Sequence, residues 1–374
     1  MPDSTSAGPA SAGSVPLPRL RCPVVAAPMA GGPSTPALVA AVSDAGGLGF
    51  LAAGYLKPDA LRAHIDAVRA QTRAPFGVNV FVPSPSPSAA ETADESAAEV
   101  AAYAERLRPV ADGLGVRLGE PRHDDDHWDA KLALLVDTPV PVVSFTFGCP
   151  PPEAVRALHV AGTCVLVTVT SPDEAVAAVD AGADGLVVQG PEAGAHRGSF
   201  TDADDDERLG LLPLLRLVAR DVRLPLVATG GIADGAGVAA VLTAGAVAAQ
   251  LGTVFLRCPE AGTSATHRDA LARGGRPTVV TRAFSGRTAR GLANTFARAH
   301  SDAAPAAYPQ VHHLTSPLRA AARDAGDPES LHLWAGQAYG LGRDMPAAEL
   351  VETLAREASD ALDAARGRLQ GGPT

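Results

Sequence analysis

Apolar residues between positions 24 and 258 fall into short runs that alternate with longer segments rich in Ala and Leu. Short runs of Val, Leu and Phe are typical of buried parallel strands, and the segments between them suit crossover helices. Eight runs have this character, the number of strands that closes a barrel. The predicted strands cover residues 24–27, 47–51, 76–81, 142–147, 165–168, 186–189, 226–228 and 247–251.

The boundaries of the helices carry their own signals. Proline in the first turn predicts the start of a helix, and glycine just past its end predicts the C-terminal cap. Prolines of this kind are Pro36, Pro58, Pro152 and Pro172, and the capping glycines are Gly46, Gly162, Gly182 and Gly245. The sequence therefore predicts an α/β fold, a (β/α)8 TIM barrel.

Two regions depart from the repeating βα unit. Residues 83–138 are too long for one connection, and helical patterns at about 92–107 and 128–136 predict a helical insertion above the barrel mouth after strand 3. After Ala283 the pattern is helical to the end of the chain, including an amphipathic run at 347–368. We expect a disordered tail at 1–16, a barrel at 17–280 and a C-terminal helical segment at 281–374 that covers the active site.

Composition excludes several classes of function. The formal net charge is -10, with no basic stripe, which argues against nucleic acid or an anionic membrane as a partner. No apolar run approaches the ~20 residues of a membrane span, and the N-terminus lacks the features of a signal peptide. The four cysteines are scattered, as in reduced intracellular proteins. These features predict a cytoplasmic protein.

A glycine-rich loop with one histidine follows the sixth predicted strand directly, with the sequence Gln189-Gly-Pro-Glu-Ala-Gly194-Ala-His196-Arg-Gly198. Loops at the carboxyl ends of barrel strands carry catalytic groups, and an imidazole can take a proton at neutral pH. We therefore predict that His196 is a catalytic base. A histidine on an ordinary surface loop is the alternative.

Glycine turns follow the seventh and eighth predicted strands, at Gly230-Gly231 and Gly252-Thr253. In barrels of this type these two loops hold a phosphate group, because glycine lets the backbone approach the ligand closely. The turns predict a phosphate site, unless the glycines serve only tight βα connections.

Amide side chains end two other predicted strands, Asn79 the third and Gln189 the sixth. An amide both donates and accepts hydrogen bonds, which suits the mixed polar edge of a flavin better than a metal. The kinked exit of the first strand, Ala27-Pro28-Met29, can lay backbone against a flat ring. Asn79 could also be only a turn residue.

Two further clusters of histidine occur in the sequence. His123-Asp-Asp-Asp-His127 has the residue types of a metal site, but nothing fixes the geometry of the ligands, and a solvated acidic run is favoured. We predict no metal site. His312 and His313, with Tyr308, either border the pocket or face solvent.

Together these motifs resemble the nitronate monooxygenases, which are FMN-dependent barrel enzymes also called 2-nitropropane dioxygenases. The resemblance rests on the ordered set of segments at 27–29, 41–49, 77–79, 188–190, 192–198, 228–232 and 252–253, and on a downstream segment at 281–294. The chain departs from the family at Ala26, where glutamine is common, and at Ala195, where a second glycine is usual. If position 195 requires a positive φ, alanine there is strained.

The resemblance implies roles for individual residues. Met29 and Asn79 contact the isoalloxazine, Gln189 its polar edge, and Ser285 lies near the substrate pocket; His196 is the base. The residues that complete the cofactor site are Ala27, Gly194, Gly230, Gly231, Gly252 and Thr253, of which Gly230, Gly231, Gly252 and Thr253 hold the FMN phosphate.

The function implied is FMN-dependent oxidation of alkyl nitronates or nitroalkanes by O2 to carbonyl compounds and nitrite. A flavin-dependent NAD(P)H:quinone or enoyl-thioester reductase of the same barrel group is the rival enzyme, and a flavin-binding scaffold without activity is the rival outside catalysis. The partners are then a small nitro compound and O2. The oligomeric state is open, with a homodimer as one option.

Overall fold

The computed structural model describes residues 14–83, 90–202 and 209–371, and only the backbone of residues 90–95. Residues 1–13 of the predicted tail and 84–89 of the predicted insertion lie outside this range. Residues 14–16 are in contact with the barrel, because the Ser14 hydroxyl and the Val15 N–H both donate to the Asp184 carboxylate, at 2.8 and 3.0 Å.

Eight parallel strands form the barrel, and each lies within two residues of its predicted position. The strands are β1 (Val24–Ala26), β2 (Gly49–Ala52), β3 (Phe76–Phe81), β4 (Val142–Thr146), β5 (Cys164–Val169), β6 (Gly185–Gln189), β8 (Leu226–Thr229) and β9 (Ala248–Leu251). They neighbour one another in the order β1-β9-β8-β6-β5-β4-β3-β2, and a bridge between Val25 and Leu48 brings β1 beside β2 to close the ring. The predicted TIM barrel is confirmed.

Twelve α-helices occur in the described residues. Four of them start at the predicted prolines, and the four predicted capping glycines all have φ between +82° and +111°. The helices are α1 (Pro36–Asp44), α2 (Pro58–Gln71), α3 (Ala90–Gly113), α4 (Trp128–Asp137), α5 (Pro152–Val160), α6 (Pro172–Asp180), α7 (Leu211–Asp221), α8 (Gly235–Thr243), α9 (Ala265–Arg273), α10 (Thr295–His300), α11 (Gln310–Asp324) and α12 (Ala347–Leu369).

The core has two layers because the strands are apolar on both faces. Phe50, Val142, Leu166 and Val187 fill the barrel interior. A second layer lies between the strands and the helices around them, for example at Leu214. Parallel sheets covered on both sides are built in this way.

The insertion is shorter than predicted. Helix α4 packs against α2, α5 and β3, so it is the crossover helix between β3 and β4 and part of the barrel wall. Helix α3 instead packs on α11, and its Tyr103 hydroxyl donates to the Ala283 carbonyl at 2.8 Å. Residues 90–113 therefore cover the C-terminal segment, as expected of an excursion.

The C-terminal segment differs from the prediction of helix alone. A small antiparallel sheet joins β10 (Thr278–Thr281), β11 (Ala289–Leu292) and β7 (Ala195–His196), in the order β10-β11-β7. The sequence of β11, Ala-Arg-Gly-Leu, has weak intrinsic strand preference, so its conformation depends on the strands on either side. Helix α12 packs outside the barrel against α8 and α1. No helix in the described parts of the chain is long and apolar enough to cross a membrane.

Candidate active site

A cavity of about 740 Å³ opens at the carboxyl ends of the barrel strands. Its size is that of a cofactor or small-molecule site. All eleven site residues predicted from the sequence line this one cavity: Ala27, Met29, Asn79, Gln189, Gly194, His196, Gly230, Gly231, Gly252, Thr253 and Ser285. Barrel strand ends and their turns form one wall, which we call the floor; residues 284–334 form the opposite wall, which we call the roof.

The two amides of the floor are held by protein groups. The Asn79 side chain is buried and donates to the hydroxyls of Ser144 and Thr146, each at 2.9 Å. The Gln189 amide nitrogen donates to the His196 carbonyl at 3.2 Å, and its oxygen accepts from the Gly198 N–H at 2.7 Å. Gln189 therefore braces the histidine loop in addition to lining the cavity.

The two glycine turns differ in their backbone, and only the first has glycines with positive φ. Gly230 and Gly231 have φ values of +126° and +67°, which are disfavoured for other residues. A Cβ on Gly231 would lie 2.9 Å from the Cβ of Glu192, so a side chain there would collide with its neighbour. The Thr253 hydroxyl, at the start of a short 3-10 helix, accepts from the Gly336 N–H at 3.0 Å.

Backbone pairing with the roof determines where His196 lies. In β7, Ala195 and His196 pair with Arg290 and Ala289 of β11. The Nε2 atom of His196 lies 2.8 Å from Oγ of Ser285, a buried roof residue. The predicted proximity of Ser285 to the pocket is thus a direct contact with the predicted base.

Three residues other than glycine line the cavity with φ values in the left-handed region. They are Tyr55 at +67°, Phe147 at +78° and Ala195 at +63°. Such conformations cost ~1–3 kcal/mol each and concentrate at functional sites. Position 195 therefore does have a positive φ, the condition under which alanine in place of glycine is strained.

Aromatic rings surround the imidazole. The ring centroids of Trp334, Phe147 and Tyr308 lie 5.5, 5.8 and 5.9 Å from that of His196. Packing of this kind excludes water and removes the solvation that would stabilise a charged imidazolium.

Electrostatics favour the neutral imidazole. Burial, with help from the positive charges of Arg287 and Arg319, lowers the pKa of His196 to about 3, and the carboxylate of Asp202 opposes this only in part. His196 is therefore neutral at neutral pH. It can accept a proton or donate a hydrogen bond, but the imidazolium is costly to form in this environment.

The acidic run 123–127 is structural in part. The Asp126 carboxylate lies 2.7 Å from Nζ of the fully buried Lys131 and accepts from the Tyr55 N–H at 3.0 Å. Asp124 lies 2.6 Å from Nε2 of His313. These contacts tie the loop before α4 to the cavity rim. In the described ranges, no three His, Cys, Asp or Glu side chains are grouped as metal ligands would be.

Comparison with known sequences identifies the family of this chain. The profile of the nitronate monooxygenase family matches residues 19–357. The chain is 40% identical over 361 residues to a nitronate monooxygenase from Paraburkholderia phytofirmans, with 94% of this chain and 96% of that protein covered. The chain belongs to the nitronate monooxygenase family. It is thus an oxidoreductase.

Two solved structures share the fold over nearly the whole chain. A nitroalkane oxidase from Streptomyces ansochromogenes has a TM-score of 0.88 and 50% identity, covering 92% of this chain and 98% of its own. FabK from Thermotoga maritima has a TM-score of 0.73 and 30% identity, covering 93% and 96%. The nitronate monooxygenase fold therefore extends over the barrel and over the roof.

The nitronate monooxygenase family is flavin-dependent in general, and the residues of this cavity fit a flavin. Apolar Ala27 and Met29 offer a flat surface, and the amide of Asn79 can meet polar ring atoms. A Cβ on Gly252 would project into the cavity beside Ala27 and Met29, at 3.5 and 3.9 Å, so glycine there keeps space open. Glycine is needed at position 194 for a different reason, because an added Cβ would lie 2.5 Å from the backbone nitrogen of Gly336.

Sequence reasoning missed most of the roof. His312, Arg319, His332 and Trp334 line the cavity, and His312 stacks on Tyr55 with ring centroids 4.2 Å apart. His312 therefore borders the pocket and does not face solvent, the first of its two predicted alternatives. The polar spacing of α11 was visible in the sequence, but polar residues at helical spacing face solvent as often as a cavity.

Proposed function

We propose that this protein binds FMN and oxidises alkyl nitronates with O2 to carbonyl compounds and nitrite. One observation carries the proposal: two glycine turns suited to a phosphate and a half-buried, neutral His196 line the same cavity. The names of its relatives, a nitronate monooxygenase and a nitroalkane oxidase, support the same chemistry.

Cofactor binding is assigned mainly to the floor. Gly230, Gly231, Gly252 and Thr253 would hold the phosphate through backbone N–H groups and one hydroxyl. Ala27, Met29, Asn79, Gln189 and Gly194 would position the ring. Bound FMN supplies the electron transfer from the substrate to O2. The protein would supply the orientation of the substrate and the base.

His196 would act as the base toward a neutral nitroalkane by taking the proton from the carbon that bears the nitro group. Ser285, 2.8 Å from Nε2, would orient the ring. General bases are most effective when their pKa lies near the working pH, and a value of about 3 is far below it. A nitronate has already lost that proton. We therefore expect nitronates to be much better substrates than neutral nitroalkanes.

Replacement of His196 by Asn tests the base. We expect kcat/KM for nitroethane to fall by ~100-fold or more, the usual contribution of a general base, while FMN stays bound and ethylnitronate loses less than tenfold. FMN content is read from the absorption spectrum. His64→Asn, on α2 outside the cavity, is the matched control. Unchanged turnover of nitroethane by His196→Asn would refute the role of the base.

A reductase that uses NAD(P)H is the second candidate, and one observation favours it. Arg319 and Arg323 line the cavity on α11, and such cations suit the phosphates of a nucleotide. Anaerobic mixing separates the two functions. Bleaching of the flavin by ethylnitronate but not by NADH or NADPH supports the oxidase, and rapid bleaching by either nucleotide supports the reductase.

The cytoplasmic location belongs to the same proposal. Cys22, Cys149, Cys164 and Cys258 are all free thiols in the structure, as suits a reducing compartment. Fractionation of the native host, with the enzyme followed by its flavin and its turnover of ethylnitronate, tests this location.

A further inference from the structure

Three aromatic rings line one side of the cavity, and each comes from the end of a different barrel strand. Phe81 ends β3, Phe147 directly follows β4, and Tyr55 lies in the turn after β2. The ring centroids of Tyr55 and Phe81 lie 5.5 Å apart, and those of Phe81 and Phe147 lie 4.6 Å apart. Phe147 in turn contacts His196. We call Tyr55, Phe81 and Phe147 the aromatic wall, because together they lead from the predicted base to the cavity rim.

Tyr55 forms the outer end of the aromatic wall. It is 37% exposed, whereas Phe147 is buried. Its φ of +67° lies in the left-handed region, which a bulky residue adopts only where its surroundings impose it. A Cβ on the preceding Gly54 would lie 2.2 Å from the ring of Phe81, so the chain passes that ring at very close range. Contacts from outside the wall must therefore hold the backbone of Tyr55.

Asp126, in the loop before α4, supplies such a contact. Its Oδ1 accepts from the Tyr55 N–H at 3.0 Å, and its Oδ2 lies 2.7 Å from Nζ of Lys131. Asp126 and the next residue, His127, have φ values of +54° and +57°, so this loop also adopts a disfavoured backbone to bring the carboxylate to Tyr55. One carboxylate thus joins a residue of the cavity to a cation in the barrel wall.

Lys131 fixes the position of this carboxylate. Its side chain is fully buried on α4, and a buried ammonium is costly unless an anion neutralises it. Burial lowers the pKa of Lys131 and raises that of Asp126, and the attraction between the two groups opposes both shifts. Neither partner can move away without leaving the other charge unpaired in a poorly solvated place. The ion pair therefore holds Asp126 beneath Tyr55.

The aromatic wall closes one side of the cavity from the floor to the roof. The Tyr55 hydroxyl accepts from the Tyr308 hydroxyl at 3.2 Å, so the outer ring spans the gap between the two. As a base, His196 must reach the carbon that bears the nitro group, which would place the alkyl group on that carbon next to the wall. The position of the wall therefore decides how much room that alkyl group has.

We propose that Tyr55 limits the bulk of the alkyl group that the cavity accepts, and that Asp126 and Lys131 are positioning residues that hold Tyr55 in place. The inference rests on the proposed function, because it names the substrate class of the same cavity: nitronates with small alkyl groups. Neither Asp126 nor Lys131 lines the cavity, so both act through Tyr55.

Two secondary nitronates of different bulk test the limit. The nitronates of 2-nitropropane and of nitrocyclohexane carry the same reacting group, and the second is larger by three methylene groups. We expect the ratio of their kcat/KM values, cyclohexyl over isopropyl, to rise by ~10-fold or more in Tyr55→Ala, the size of discrimination that an apolar pocket gives for such groups. FMN content is checked by the absorption spectrum. An unchanged ratio would overturn the proposal.

Two matched double variants test the positioning residues. Asp126→Ala/Lys131→Met and Asp126→Asn/Lys131→Met both remove the two charges together, so neither leaves a buried charge unpaired. They differ in one respect, because asparagine keeps an oxygen that can accept from the Tyr55 N–H. We expect the ratio to rise by ~3–10-fold in the first, the value of one neutral hydrogen bond, and to stay near that of the wild type in the second. Equal ratios in the two would overturn the role of Asp126. Asp129→Ala, on the exposed face of α4, is the control.

A variant that combines all three changes shows whether the pair acts through Tyr55. In Tyr55→Ala, the further replacement Asp126→Ala/Lys131→Met should leave the ratio unchanged, since the ring that the pair positions is already gone. A further rise by the same factor as in the presence of Tyr55 would mean that the pair reaches the cavity by another route, and would overturn its positioning role.

Two measurements without turnover keep this test separate from the proposed function. Amide hydrogen exchange at Tyr55 should become faster in Asp126→Ala/Lys131→Met than in Asp126→Asn/Lys131→Met. The dissociation constants of 2-nitropropane and nitrocyclohexane are read from the flavin spectrum of the FMN-loaded protein. A selective gain for nitrocyclohexane in Tyr55→Ala supports the inference even if no nitronate is oxidised. Turnover of both nitronates with a ratio independent of Tyr55 supports the proposed function and removes the inference.

Discussion

The floor and the roof of the cavity are built in different ways. The floor consists of strand ends and glycine turns whose positions follow from the parallel register of the barrel, and it offers backbone, amides and small side chains. The roof comes from α11 and the loops around it, and it brings two arginines, two of the four histidines and one tryptophan: Arg319, Arg323, His312, His332 and Trp334. We therefore expect binding of the cofactor to depend mainly on the floor and the choice of substrate to depend mainly on the roof.

His196 connects the two walls. It follows β6 of the floor, and its backbone pairs with β11 of the roof. Changes confined to one wall should therefore separate loss of FMN from loss of turnover.

Gly230→Asp should have the largest effect and should act through the floor. A side chain at φ +126° lies 3.1 Å from the Gly190 carbonyl, and the added carboxylate repels a phosphate. We expect the affinity for FMN to fall by at least ~100-fold, which corresponds to ~3 kcal/mol. Gly162→Asp, also at positive φ but with nothing within 4 Å of its Cβ, should keep FMN. A fully yellow Gly230→Asp protein would place the phosphate elsewhere.

The same division explains what could be predicted from the sequence. Strand runs, capping glycines and strand-end motifs are local signals, so all eight strands and the glycines and amides at their ends could be predicted, whereas Tyr55 and Phe147 could not. Strand β11 and the cavity-facing residues of α11 depend on contacts between segments far apart in the chain, such as Ala289 with His196. Periodicity reports that a helix has a polar face but not what that face meets.

The histidines of the cavity should make the apoprotein sensitive to acid. Burial lowers the pKa of His196 to about 3, of His267 to about 4 and of His312 to about 2, against ~6.5 in an unfolded chain. Below about pH 6.5 the unfolded chain takes up protons that the folded chain does not, so stability falls as the pH falls. We expect each such histidine to lower the free energy of unfolding by ~1 kcal/mol when the pH falls from 6 to 5, measured by urea unfolding.

His312→Phe should reduce that loss by ~1 kcal/mol over the same interval, because one proton fewer is taken up on unfolding. His64→Phe, on the barrel exterior, is the control. An acid response of His312→Phe equal to that of the wild type would show that His312 is not held neutral by the roof.

Replacement of Arg287 should have a smaller effect, because this residue holds the loop between the floor and the roof. Its guanidinium lies 4.1 Å from the centroid of the Phe147 ring and donates to the carbonyls of Arg197 and Ser199, which hold the loop after His196. We expect Arg287→Met to lower kcat/KM for ethylnitronate by ~10-fold, the value of one charged hydrogen bond. Because the charge of Arg287 also opposes protonation of His196, the activity ratio of nitroethane to ethylnitronate should rise.

Arg287→Lys separates the two roles of this residue. Lysine keeps the charge and loses the planar set of donors, so the turnover of ethylnitronate should fall while the substrate ratio stays near that of the wild type. A ratio that rises equally in both variants would mean that Arg287 acts only by positioning the loop.

Ala195→Gly should have the smallest effect and bears on the strain where the walls meet. Alanine at φ +63° is strained by ~1–2 kcal/mol relative to a right-handed conformation, and glycine relieves this strain in the folded state. Glycine also has more conformational freedom in the unfolded chain, which lowers the stability of the folded state by ~0.5–1 kcal/mol. The variant should therefore be more stable by ~0.5–1 kcal/mol, measured by urea unfolding of the FMN-loaded protein.

Ala193→Gly is the control, because Ala193 lies in the same loop but does not have a positive φ. Its free energy of unfolding should fall by ~0.5–1 kcal/mol, whereas that of Ala195→Gly should rise. A loss in both variants would mean that the loop tolerates alanine at position 195 without strain. If Ala195→Gly gains stability while its kcat/KM for ethylnitronate falls, the strain helps to press His196 against Ser285. If turnover is unchanged, pairing with β11 alone is enough to hold the imidazole in place.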